Sequence, residues 1–131
     1  MMKCLNQYIN EGISGTDWIQ SDGCSDLLGN MFEDFNKIVI EHINHAFDYS
    51  TETITSFDVM NAILYIFDIY ANNDREYSIT EELWDILNNC WEKCNNDQKF
   101  IDDWKDSNEL KKALKDKKKE IDKYKKIIDE R

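Results

Sequence analysis

Four sets of side chains in this sequence have types and spacings that chemistry would use. Cys4, Cys24, Cys90 and Cys94 make an even thiol count, but Cys90 and Cys94 stand four apart, which puts both on one face of a helix. Structural zinc sites draw ligand pairs from a tight C-x2-C turn and need two further ligands. These cysteines read as ordinary buried thiols in a reducing compartment. His42 and His45 stand three apart, a spacing able to hold a metal, yet their acidic neighbours Glu41 and Asp48 point elsewhere on a helix. One buried and one surface histidine is expected, with no metal and no cofactor. Trp84 and Trp91 are seven apart on one apolar face, which reads as packing rather than base stacking. Lys111, Lys112, Lys115, Lys117, Lys118, Lys119, Lys123 and Lys125 crowd one segment, enough cation to touch nucleic acid, with interspersed acids diluting the field. A Ser-His-Asp order, a glycine-rich phosphate loop and a paired-carboxylate signature are all absent from the sequence. The expectation is a non-enzymatic protein with no small-molecule substrate.

The elements that must position these groups are helices. Proline is absent and there are 4 glycines in 131 residues, and apolar residues recur at three- and four-residue steps. A short helix is expected over 2–10, with a loop to about Asp22. Leu28, Met31, Phe32, Phe35, Ile38, Val39, His42, Ile43, Ala46 and Phe47 then predict one long helix from a cap at Ser25 and Asp26, a helix that needs partners on more than one side. Residues 48–56 are β-branched and hydroxylic and predict an extended strap. Thr55 to Asp58 reads as a capping box for a short apolar helix carrying Phe57, Val59, Met60, Ile63, Leu64 and Phe67. Thr80 before two glutamates starts a helix over 79–94, broken at Asn95 and Asn96. Leu110, Leu114, Ile121 and Tyr124 mark a last charged helix with a thin apolar seam, expected to project into solvent until something docks on it.

The net charge is −11 and it is unevenly spread. Residues 1–104 hold 5 Lys/Arg against 20 Asp/Glu, whereas residues 105–131 hold 11 against 7. Two domains are expected on this basis, 1–96 and a charged helical extension, 97–131. The acidic body is poorly equipped to neutralise phosphate. The first ten residues lack the long apolar run of a signal peptide, and no uninterrupted run of 18 apolar residues exists for a membrane span. A soluble, intracellular protein is expected.

The order short helix, loop, long helix, strap, short helix resembles the histone fold. The segment 31–64 is similar to histone 2B: MFEDFNKI at 31–38 resembles the phenylalanine-containing opening of that family's long helix, and TITSFDVMNAI at 53–63 resembles its strap and third helix. GIS at 12–14, or IQS at 19–21, resembles the loop before the long helix. The resemblance covers about half of the chain, and residues 79–94 stand where the family has an extra C-terminal helix.

What the resemblance implies is an all-α histone fold that is stable as an obligate pair with a histone 2A-like or other histone-fold chain. Phe32, Phe35, Ile38, Val39, Ile43, Val59, Met60, Ile63 and Phe67 would form the shared core. The family also uses its straps to contact phosphate, which would assign Thr53, Thr55 and Ser56 as hydroxyl donors beside Lys111, Lys112, Lys115, Lys118 and Lys119. The sequence departs from the family there: Ser50 and Thr51 replace a basic pair and Glu52 is added, Asp22 stands where a loop lysine would be, the minor-groove arginine is missing, and so is the long basic N-terminal tail. The implied role is a subunit of a chromatin-like, nucleosome-type or DNA-packaging assembly, nuclear or chromatin-associated, or within a virion or viral factory. The Asn-, Ile-, Asp- and Lys-rich usage suits an AT-rich genome such as that of a large DNA virus. Two alternatives stand beside it: an acidic regulator that binds histones or mimics DNA, and a transcription-type histone-fold subunit.

Overall fold

The computed structural model describes residues 22–131, all helices and turns with no strand among the described residues. Five α-helices follow one another: α1 Asp22–Tyr49, α2 Thr53–Asn72, α3 Glu81–Asn96, α4 Gln98–Asp102 and α5 Ser107–Asp129, with a 3-10 turn at Glu76–Ser78. The chain divides into two compact units, Met1–Lys37 and Ile38–Arg131. In the first, the described part is the N-terminal portion of α1. The short helix expected over 2–10, the loop motifs at 12–14 and 19–21 and Cys4 lie outside the described residues.

The second unit has a closed core of its own. α2, α3 and α5 bury Met60, Ile63, Phe67, Leu83, Leu87, Leu110, Leu114, Ile121 and Tyr124 almost completely. Phe67 meets Tyr124 edge-on at 5.3 Å, and the Tyr124 hydroxyl donates to Asp68 Oδ1 at 3.4 Å. Phe57, Phe100 and Trp104 form an aromatic cluster with centroids 5.2 to 5.8 Å apart, which seats α4 against the start of α2. The expectation of a solvent-projecting extension is therefore corrected: α5 completes the core, and the boundary drawn at residue 96 falls inside one unit. Its thin seam suffices because α3 and α2 supply the larger apolar surface that α5 lacks.

Three local expectations also change. Ser25 and Asp26 lie within α1, which is already helical at Asp22, so they cap nothing. The connection after α1 is three residues, 50–52, rather than a nine-residue strap, and α2 has 20 residues rather than being short. The capping box at Thr55 does not form, since α2 begins at Thr53 after Glu52, which gives no side-chain cap. Long-range bonds set that start instead: the Thr53 hydroxyl donates to Asp97 Oδ2, and Lys93 Nζ donates to the Thr51 carbonyl at 2.6 Å. Asp97 also caps α4 by accepting from Phe100 N at 3.1 Å. Those two donors, Thr53 first, hold its carboxyl below the usual carboxylate range. Thr80 does cap α3, accepting from Leu83 N at 3.3 Å. α2 is also long and apolar enough to cross a membrane, by length and composition alone. Val59, Met60, Ile63, Leu64, Phe67 and Tyr70 on it are buried in the unit's core.

This core generates three predictions. Leu114→Ala and Ile121→Ala should each destabilise by about 2–5 kcal/mol, the cost of a large-to-small change at a fully buried site. Removing residues 105–131 should abolish cooperative urea unfolding, because four buried side chains at ~1.5–3 kcal/mol each approach a domain's whole stability; a truncated chain with an unchanged midpoint would show α5 to be an appendage. Burial also pushes the Cys90 thiol up to about 11, and Cys94 and Tyr70 up to about 12, while Tyr124 moves up further. The unfolded chain ionises these groups near pH 9 to 10, whereas the folded chain keeps them protonated. Stability is then full below about pH 9 and falls as pH rises toward 11–12. Urea midpoints measured from pH 8 to 11 should be level at first and then drop; a flat profile to pH 11 would refute the assignment.

Candidate functional site

Two surfaces gather the side chains that sequence reasoning singled out. The first is α1, whose two sides have different fates. Within the second unit, Ile43 is buried. With Phe47 it lines a cleft of about 310 Å³ completed by Ser56 of α2 and by Ile86, Asn89, Cys90 and Lys93 of α3. On the other side large apolar residues stay in water: Met31 is 56 % exposed, Phe35 43 % and Ile38 49 %. Leu27, at 60 %, is a further one.

The nine residues expected to form a shared core therefore separate. Val59, Met60, Ile63 and Phe67 are buried against the chain's own helices, which corrects their assignment to a partner interface: α3 and α5 already cover them. Ile43 is buried as well, Phe32 and Val39 are half-buried, and Phe35 and Ile38 remain open. Sequence reasoning missed Leu27 as an interface candidate, and it placed Met31 in the apolar pattern without separating the two sides of the helix. His42 and His45 are both exposed, where one was expected buried. They fall on the open side, and His45 meets the Tyr49 ring edge-on at 4.7 Å. The thiols of Cys90 and Cys94 are free and buried, as expected, with Cys94 Sγ 3.8 Å from the Thr53 carbonyl.

The second surface is the outer side of α5. Its inner side is clasped by two tryptophans of α3. Trp84 Nε1 donates to the Ile121 carbonyl at 2.9 Å, and Trp91 Nε1 donates to the Leu114 carbonyl at 2.7 Å. Four residues beyond each acceptor, one helical turn on, a lysine covers the same indole: Lys125 lies 4.8 Å from the Trp84 ring centre and Lys118 4.9 Å from that of Trp91. Lys118 also donates to Asn88 Oδ1 at 3.0 Å and pairs with Asp122 at 3.3 Å.

Lys111, Lys112, Lys115, Lys118 and Lys119 are brought together along a surface groove of about 950 Å³ with Trp91, Asn95 and a single carboxylate, Asp122. Of the five, only Lys118 has an ion-pair partner among the described residues. The hydroxyls expected to join them do not. Thr53 and Ser56 are buried; the Thr53 hydroxyl is committed to Asp97, and Thr55 Oγ1 donates to Ser50 Oγ at 2.8 Å. The assignment of these three to phosphate is corrected, because the helix start turns them into intramolecular contacts.

No family model, curated protein or solved structure matches this chain.

The clasp generates a graded prediction. Trp91→Phe keeps the ring but loses the bond to the Leu114 carbonyl, and should cost about 1 kcal/mol. Trp91→Ala should cost about 3 kcal/mol or more. Urea unfolding of both variants checks this; a Trp91→Phe variant as stable as the parent would mean that the indole N–H contributes nothing, and equal losses would mean that the ring adds nothing beyond it.

Proposed function

We propose that this chain is a non-enzymatic acidic subunit that works by pairing its long helix with a histone-type chain, in a histone-like heterodimer of a chromatin-like or DNA-packaging assembly. The observation that carries the reading is the open apolar side of α1, where Met31, Phe35 and Ile38 stay in water beside acidic residues. Exposed large apolar groups in a row on one element mark an interaction surface. The flanking acids suit a basic partner, as a histone 2A-like chain would be.

The pairing is an association of folded chains. A half-uncovered core would make it obligatory, but the core of residues 38–131 is closed by the chain's own helices. The partner surface reduces to α1. Within the same reading, direct duplex contact falls to Lys111, Lys112, Lys115 and Lys119, which line one groove and hold no ion pair among the described residues. A second reading, an acidic regulator that sequesters basic histones, is favoured by the same acids on α1.

Co-expression with histone 2A-like and other histone-fold chains tests the proposal. A one-to-one complex by light scattering is expected, lost in Phe35→Asp/Ile38→Asp with the fold intact; a chain that stays monomeric with every such partner ends it. Duplex titration separates the two readings. Packaging predicts affinity that falls with salt at a log–log slope of about −3 to −4 for four lysines, weakened by Lys111→Glu/Lys115→Glu/Lys119→Glu. Binding to histones with none to duplex assigns the regulator.

A further inference from the structure

The open residues of α1 obey a stricter rule than exposure alone. Met31, Phe35, Ile38, His42, His45 and Tyr49 follow one another at steps of four, three, four, three and four, and every one of them is exposed. This is the seam of a coiled coil, with Phe35, His42 and Tyr49 at a positions and Met31, Ile38 and His45 at d positions. Over 31–49 it spans about 27 Å of helix. The e positions, Phe32, Val39 and Ala46, are half-buried, while all three g positions are exposed carboxylates: Asp34, Glu41 and Asp48. None of the three has an ion-pair partner among the described residues, where the ion pair on α1 joins Lys37 to Glu33 at 3.9 Å.

Resting on the pairing reading above, we propose that α1 is one strand of a heteromeric coiled-coil pair whose other strand is a helix of a separate polypeptide, apolar at its own seam and carrying Lys or Arg every seventh residue opposite Asp34, Glu41 and Asp48. Charge selects this occupant over a second copy of the chain. Antiparallel pairing of two α1 helices would set the g carboxylates of one copy against those of the other, and parallel pairing would set them against half-buried Phe32, Val39 and Ala46, which carry no cation. The lysine-rich α5 of a second copy does not fit either, since its apolar residues Leu110, Leu114, Ile121 and Tyr124 are buried in its own core. His42 and His45 put two imidazole layers into the seam, so the partner meets polar rings there and aliphatic or aromatic layers at Met31, Phe35 and Ile38.

The test uses the full chain and two synthetic helices of about three heptads, with leucine at a and d and either lysine or glutamate at e and g. Like charges on each probe keep it from pairing with itself. By fluorescence anisotropy the lysine probe should bind roughly tenfold or more tightly than the glutamate probe. In Asp34→Lys/Glu41→Lys/Asp48→Lys the order should invert, and Phe35→Asp/Ile38→Asp should lose both probes with its circular dichroism and melting unchanged. Equal binding, no binding of either probe, or an unchanged order in the charge-reversed chain overturns the proposal, as does a concentration-dependent dimer that excludes the probes. Failure of the pairing reading is a separate result: probes that rank as expected while no histone-type chain is captured would remove the histone partner and keep the seam, and capture that ignores the charge reversal would do the opposite.

Discussion

The fold of residues 38–131 depends on the antiparallel docking of α5 against α3. Trp84 and Trp91 are seven residues apart, as are the residues whose carbonyls they reach, Ile121 and Leu114, and the pairing runs in opposite directions along the two helices. Two indole N–H groups thus fix one register. Sliding α5 by one residue would turn it by about 100° and bring charged side chains into the layer now filled by Leu110, Leu114, Ile121 and Tyr124. Lys118 and Lys125, each one turn beyond an acceptor, close over the indoles and meet their aromatic faces in addition to an acid one turn further along α5.

Charge plays a smaller part in this docking than the sequence suggests. An acidic body and a lysine-rich helix look made to attract one another, yet among the described residues the ion pairs of α5 all stay within the helix and its C-cap, from Lys118 to Asp122, Lys125 to Asp129 and Lys126 to Glu130. Exposed pairs one turn apart contribute only a few tenths of a kcal/mol each. Burial of four large side chains is the greater effect by an order of magnitude. The helix is held by its apolar side, and its lysines are left facing water along a groove. Two opposite charge fields consequently persist on one chain, neither spent on the other.

Helix content and most helix positions were legible because apolar spacing is a local signal. Thr80 was legible as a cap for the same reason: donor and acceptor are three residues apart. The start of α2 was not, since Thr53, Ile54 and Thr55 have strand-like propensities and the groups that hold them helical, Asp97 and Lys93, are over forty residues distant. The docking of α5 was half legible. Its seam looked too thin to bury until the seven-residue interval between Trp84 and Trp91 was matched with the same interval between Leu114 and Ile121. Of the site, the lysine groove emerged because it lies on one helix. The hydroxyl set failed because residues that are neighbours in sequence point into different contacts: Thr53 to Asp97, Thr55 to Ser50, and Ser56 into the core.

The long helix shows why a single apolar pattern can hide two surfaces. Ile40, Ile43 and Phe47 step at three and four residues, and so do Ile38, His42, His45 and Tyr49, offset around the same rod. Read together they suggest one broad apolar stripe. Only burial separates them, with Ile43 covered and Ile38 half in water. A helix that needed no more than its own body would place charged residues on the outer set, at no cost to folding and with a gain in solubility. Met31, Phe35 and Ile38 stand there instead, and Asp34, Glu41 and Asp48 stand beside them at seven-residue intervals, where they keep carboxylates off the seam and govern which helix can lie along it.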